Sequence, residues 1–223
     1  MSALIVSGAG RYADPWHDYP ATSARIADVL EDVGLAVEVS DDVDRSLVSL
    51  VERTDINLLV VNAGISVEDP PDHTVDGAVG AGLLQFLRRG SSLLAMHSAA
   101  STLPDIPEWE SIIGARWVNG MTMHPEIGHA EIHVHPDRHQ IVASAVDFEV
   151  WDERYSFLRV APDVVGLASH EYAGMTHPLL WVREHEGSRV AYDALGHDER
   201  SYQSPDHTAL LGAATRWLVD DWR

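Results

Sequence analysis

The sequence predicts an α/β protein built on an open, doubly wound, mostly parallel sheet with helices on both faces. Three observations carry that expectation. Ile56 to Val61 and Ser92 to Met96 are near-continuous apolar runs, as parallel strands buried on both faces require. Segments with apolar residues at helical spacing alternate with such runs, giving β-α-β-α-β-α-β as far as His97. At 223 residues, 45% of them hydrophobic and 22% charged, the chain can bury a sizeable core, and residues 1–223 read as one domain.

The elements follow in order. Ala3 to Ser7 is a first strand, ended by Gly8-Ala9-Gly10 and a polar, aromatic loop from Arg11 to Pro20. From Ala21, the residues Ile26, Val29, Leu30 and Val33 recur on one helical face, with Gly34 as the stop. Leu35, Val37 and Val39 alternate as a strand, and Val43 to Val51 forms a second helix. The strand ending at Val61 is broken by Asn62-Ala63-Gly64, and a loop holding Pro70 and Pro71 leads to a helix over Asp76 to Arg89. Beyond His97 the pattern is less regular. It gives a short helix over Glu108 to Ile113 and strands near 130–134, 164–168, 179–183 and 189–195. A closing helix over Thr208 to Val219 buries Leu210, Leu211, Trp217 and Leu218.

Composition removes several classes of function. Asp and Glu number 35 against 15 Lys and Arg, a formal charge of −20 that repels phosphate backbones and anionic lipid, so nucleic acid is not an expected partner. The absence of cysteine excludes thiolate metal sites and cysteine nucleophiles. No apolar run approaches the roughly 20 residues of a membrane span, and Met1 leads directly into the first strand, so a cytoplasmic protein is expected. Self-association as a homo-oligomer is compatible with these features.

Ligands of open parallel sheets bind outside the carboxyl ends of the strands. The segments after the buried strands carry Arg11, Tyr12, Trp16, His17 and Asp18, then Asn62 and Gly64, then His97-Ser98. Two of these loops deliver a histidine to one edge, although a buried histidine satisfied by backbone would also explain His97. Ser98 lacks the flanking glycines of a nucleophile elbow. His133 and His135 have metal-ligand spacing, as residues of an exposed strand edge also would. Asp152-Glu153 beside Tyr155 suits acid–base work or sugar hydroxyls, and equally a solvated turn. Gly196-His197-Asp198 lets the backbone turn sharply and opens an imidazole to a crevice, with Tyr202 a turn later. Gly8-Ala9-Gly10 lacks the third glycine of a dinucleotide fingerprint and reads as a tight turn.

In this order the residues resemble the ThuA-like, or trehalose-utilisation, family over nearly the whole chain. The matching pieces are His17-Asp18, His97-Ser98-Ala99, Gly114-Ala115-Arg116-Trp117 leading to His124-Pro125, and Pro136-Asp137-Arg138-His139. Asp152-Glu153-Arg154-Tyr155, Pro178 to Trp181 and Gly196-His197-Asp198 complete the set. Gln140 departs from a proline frequent in the family, and Arg154 from an apolar residue. The resemblance implies a flavodoxin-like fold of the class I glutamine amidotransferase-like kind and a role in carbohydrate catabolism, on a disaccharide, glycoside or keto-sugar.

Three functions are compatible with these residues. The first is isomerase-, lyase- or hydrolase-type acid–base chemistry, with His97, His197 and Glu153 catalytic. Arg11, Trp16, His17, Asp18, His124, Tyr155, Asp198 and Tyr202 would then hold a small carbohydrate. The second adds a divalent metal held among His17, His97, His124 and His197; His139 stands at lower weight among the site histidines. The third is a non-catalytic sugar-binding or regulatory protein.

Overall fold

The computed structural model describes residues 1–65 and 76–220; the predicted Pro70–Pro71 loop lies outside the described residues. The first half of the chain lays down β1 (Ser2–Ser7), α1 (Tyr19–Asp32), β2 (Ala36–Ser40), α2 (Val43–Ser49), β3 (Ile56–Asn62), α3 (Gly77–Arg88) and β4 (Ser92–Met96). The second half adds α4 (Trp109–Ile113), β5 (Ala115–Arg116), β6 (Gly128–Val134), β7 (Phe148–Asp152) and β8 (Arg159–Val160). It closes with β9 (Val165–Tyr172), β10 (Met175–His185), β11 (Ser188–Asp193) and α5 (Pro205–Val219).

Nine strands form one sheet in the order β2-β1-β3-β4-β11-β10-β9-β6-β7, with β5 and β8 paired separately. The neighbours from β2 through β11 run parallel. Every later pairing is antiparallel, so β7, four reversals beyond β11, points the same way as the parallel strands. The carboxyl ends of β1, β3, β4, β11 and β7 therefore share an edge. Strand order reverses between β1 and β3, where this class of sheet opens a ligand crevice.

The helices start where the sequence supplies caps. Asp18 accepts the amide of Ala21 at 3.1 Å and Ser204 that of His207 at 3.4 Å, and each is followed by a proline in the first turn. Both helices begin two or three residues before the apolar periodicity does, because capping and proline, not burial, set those ends. The strand at Phe148–Asp152 alternates buried and more exposed side chains, but as a short sheet edge it shows no long apolar run. The core is continuous from the β1–α1 layer to α5, with Trp109, Trp181 and Tyr192 fully enclosed.

Candidate active site

Four strand ends, those of β1, β4, β7 and β11, deliver the site. After β1, the Asp14 carboxylate accepts the amides of Trp16 and His17 at 2.9 and 3.1 Å and the hydroxyl of Tyr19 at 2.8 Å. It also takes the Nδ1–H of His17 at 2.7 Å. Burial alone would raise the Asp14 carboxyl, but these donors, His17 first, hold it down at about 2. Nδ1 of His17 is thereby committed as a donor, leaving Nε2 an acceptor; burial pushes this imidazole below its ordinary range.

At the end of β4, His97 adopts φ +37, a left-handed conformation that costs a non-glycine residue about 1 kcal/mol or more. It is held there from both sides. Tyr192 donates its hydroxyl to the His97 carbonyl at 2.5 Å, and His97 Nδ1 donates to the carbonyl of Ala194 at 2.6 Å. The ring stacks on Tyr155 with centroids 4.2 Å apart and is 1% exposed.

The end of β7 contributes two acids with different duties. Asp152, 1% exposed, accepts the amides of Glu153, Gly196 and His197 at 2.7, 2.8 and 3.1 Å and the hydroxyl of Ser201. It ties the end of β7 to the turn after β11. Gly196 in that turn has φ +109, and a β-carbon there would stand 2.6 Å from the Tyr202 hydroxyl, so glycine is required.

Glu153 faces the histidines. Its Oε2 lies 3.4 Å from His97 Nε2 and 3.3 Å from His197 Nδ1, and its Oε1 lies 3.2 Å from His124 Nδ1. Burial favours the neutral acid, but His197 and His97 outweigh it and keep the carboxyl well below its usual range. The same contact raises His197 against the downward push of its own burial.

Above these groups lies a cavity of about 450 Å³, within the range of small-molecule sites. Trp16 and Trp117 flank it, and His17, His124, His197, Glu153 and Tyr155 line it. His97 stands behind Tyr155 and Glu153. The arrangement offers a carboxylate among imidazoles for proton transfer or ion binding, next to aromatic faces for a sugar ring.

Of the sequence candidates, the structure brings together His17, His97, His197, Glu153, His124, Tyr155 and Trp16. Four others are engaged elsewhere. Arg11 pairs with Asp44 beside Tyr12, in a separate depression. Asp18 caps α1, Asp198 binds Arg200 at 2.9 Å, and Tyr202 packs beneath Gly196. His139 accepts the Ile141 amide at 3.2 Å and packs on Trp217. His133 faces Asp147 and His135 faces Ser169, away from the cavity. Asp14 and Trp117 carry no predicted role, although an aspartate three residues before a histidine has the spacing of one turn.

Fold and site together define an α/β flavodoxin-like protein of the class I glutamine amidotransferase-like kind, with a histidine–carboxylate pocket at its strand ends. The chain belongs to the ThuA family, described as trehalose utilisation, whose model matches residues 2–218; its family role is thus in carbohydrate metabolism. A ThuA-like protein from Parabacteroides merdae is similar in structure at a TM-score of 0.79 and 15% identity, covering 99% of this chain and 90% of that one. Another, from Bacteroides uniformis, gives 0.74 and 16% over 98% and 91%. The fold also resembles a part of a β-galactosidase from Rahnella sp. R3, at 0.62 and 16% identity, over 99% of this chain and 31% of that one. Among curated proteins none matches the sequence. No helix among the described residues is long and apolar enough to cross a membrane.

Proposed function

We propose that the chain is a cytoplasmic enzyme that transfers protons on a small carbohydrate, a disaccharide, glycoside or keto-sugar, in the cavity above Glu153. The observation that carries this reading is the Glu153 carboxylate, buried among His97, His197 and His124 at the floor of an aromatic-flanked cavity. A keto group acidifies the adjacent C–H. An imidazole or carboxylate at the cavity wall takes that proton, and the C–H electron pair becomes a C=C bond as the carbonyl oxygen gains negative charge. A protonated imidazole opposite donates to that oxygen. Proton return to the neighbouring carbon is isomerisation; expulsion of a glycosidic oxygen, which leaves with a proton, is lyase-type cleavage. His197 and Glu153 face the cavity for these transfers, and His97 holds Glu153 from behind.

The test is a panel of disaccharides, glycosides and their keto derivatives, followed by NMR and mass spectrometry with the parent and with folded His97→Ala and His197→Ala proteins. Turnover by the parent, reduced about 100-fold or more in both variants, is expected. Calorimetric sugar binding without any product would overturn catalysis in favour of a binding protein.

A further inference from the structure

We propose that His17, His97, His197 and Glu153 together hold one divalent first-row transition-metal cation, of the zinc class, at the floor of the cavity. One ligand atom from each of these residues lies within 4.8 Å of all the others. Three imidazoles and a carboxylate are the donor set that such cations select.

The geometry is that of ligands, not of hydrogen-bonded neighbours. His17 Nε2, His97 Nε2 and His197 Nδ1 are buried and have no hydrogen-bond partner, although two of them stand within 3.4 Å of the Glu153 carboxylate. Buried polar atoms in a native protein are satisfied as a rule, so three orphaned nitrogens converging on one point need an occupant. The separations of 3.3 and 3.4 Å from Glu153 Oε2 to His197 and His97 are long for N–H···O bonds of this kind. They match the edge of a tetrahedron around an ion with ligands at about 2.0–2.2 Å.

The outer partners agree. Metal-bound imidazoles hand their other N–H to a carboxylate or a backbone carbonyl. His17 gives its Nδ1–H to Asp14, and His97 gives its own to the carbonyl of Ala194. Both rings are thereby left with Nε2 as the nitrogen free to bind an ion. With side-chain exposures of 10% and 2%, neither ring has solvent as an alternative partner. Of the described residues, Glu131, His133 and Asp147 form another grouping of suitable type, but it is exposed and lacks the orphaned nitrogens.

The inference rests on the reading above for its substrate and reassigns two of its groups: with the cation bound, His197 and Glu153 are ligands in place of the proton carriers. A cation there would polarise the sugar carbonyl as a Lewis acid, using a further coordination position toward the cavity. His97, which is walled off from the cavity, then serves as a ligand. His124, outside the set and beside Glu153 Oε1, is the imidazole left for proton transfer.

The experiment uses tag-free, chelator-treated full-length protein, titrated with Zn²⁺ or Co²⁺. It reads metal per chain by elemental analysis and the Co²⁺ ligand-field absorption. One equivalent is expected, with ligand-field bands of low coordination number. Affinity should fall about tenfold or more in His97→Ala, Glu153→Gln and the outer-partner variant Asp14→Asn, and stay unchanged in His133→Ala. Failure of the parent to bind either ion stoichiometrically would overturn the proposal, and that arm needs no variant to fold. So would loss of binding in His133→Ala with retention in His97→Ala. Metal binding without turnover of any sugar supports this site while overturning the enzymatic reading; turnover untouched by chelation does the reverse.

Discussion

Replacing Asp152 with alanine should detach the turn that carries His197 from the strand that carries Glu153. The carboxylate is 1% exposed and accepts Gly196 N, His197 N and the Ser201 hydroxyl, all more than forty residues away in sequence. Stranding a buried donor costs about 1–3 kcal/mol. Three of them, partly relieved by water entering the space left behind, give a loss of about 3–5 kcal/mol. That is a large share of the roughly 5–15 kcal/mol that stabilises a domain. Asp152→Asn keeps one oxygen in place but sets an amide against Gly196 and Ser201, so about 2 kcal/mol is expected. Urea unfolding followed by circular dichroism, extrapolated to water with a common slope, measures both. An alanine variant within about 0.5 kcal/mol of the parent would refute the assignment of Asp152 as the tie between the two segments.

Other outcomes follow from single contacts. His207, fully buried, meets Asp193 at 2.9 Å; burial pushes its pKa down, but the carboxylate prevails and the net shift is upward from 6.5. Its contribution to stability is therefore complete below about pH 6.5 and is lost as pH rises through the raised folded value. Thermal melts against pH should show that slope in the parent and a flatter one in His207→Gln. Asp18→Ala should cost about 1 kcal/mol, the worth of an N-cap, with sugar turnover intact; lost turnover at unchanged stability would instead place Asp18 at the substrate. Trp16→Ala should raise KM about 3- to 10-fold with a smaller change in kcat, since a stacking face is worth about 0.5–1.5 kcal/mol. Steady-state kinetics on the identified sugar separates the two constants.

The parallel half of the sheet was legible because strands buried on both faces must be apolar throughout, as Leu58 to Val61 and Leu93 to Met96 are. The strand over Phe148–Asp152 was not, because a short edge strand alternates and its last residues resemble a polar turn. The histidines after β1 and β4 could be placed at one edge from chain order alone, whereas His197 joins them because β11 lies parallel beside β4. Glu153 reaches that edge only because β7 lies four reversals beyond β11, which no local pattern encodes. Arg11 and Asp18 show the converse: they sit in the correct loop, but a partner on α2 and the open end of α1 claim their side chains. Asp14 was silent because its work is done through His17, and a carboxylate in an acidic chain carries no signal of its own.

Proton transfer in the cavity is tested most directly by running the reaction in D₂O and following the carbon next to the sugar carbonyl by NMR. Deuterium should appear at that carbon with the parent, and about 100-fold more slowly or not at all with folded Glu153→Gln and His197→Ala proteins. Consumption of the sugar with no deuterium at that carbon, or equal incorporation by parent and variants, would contradict an acid–base site built on Glu153 and its histidines.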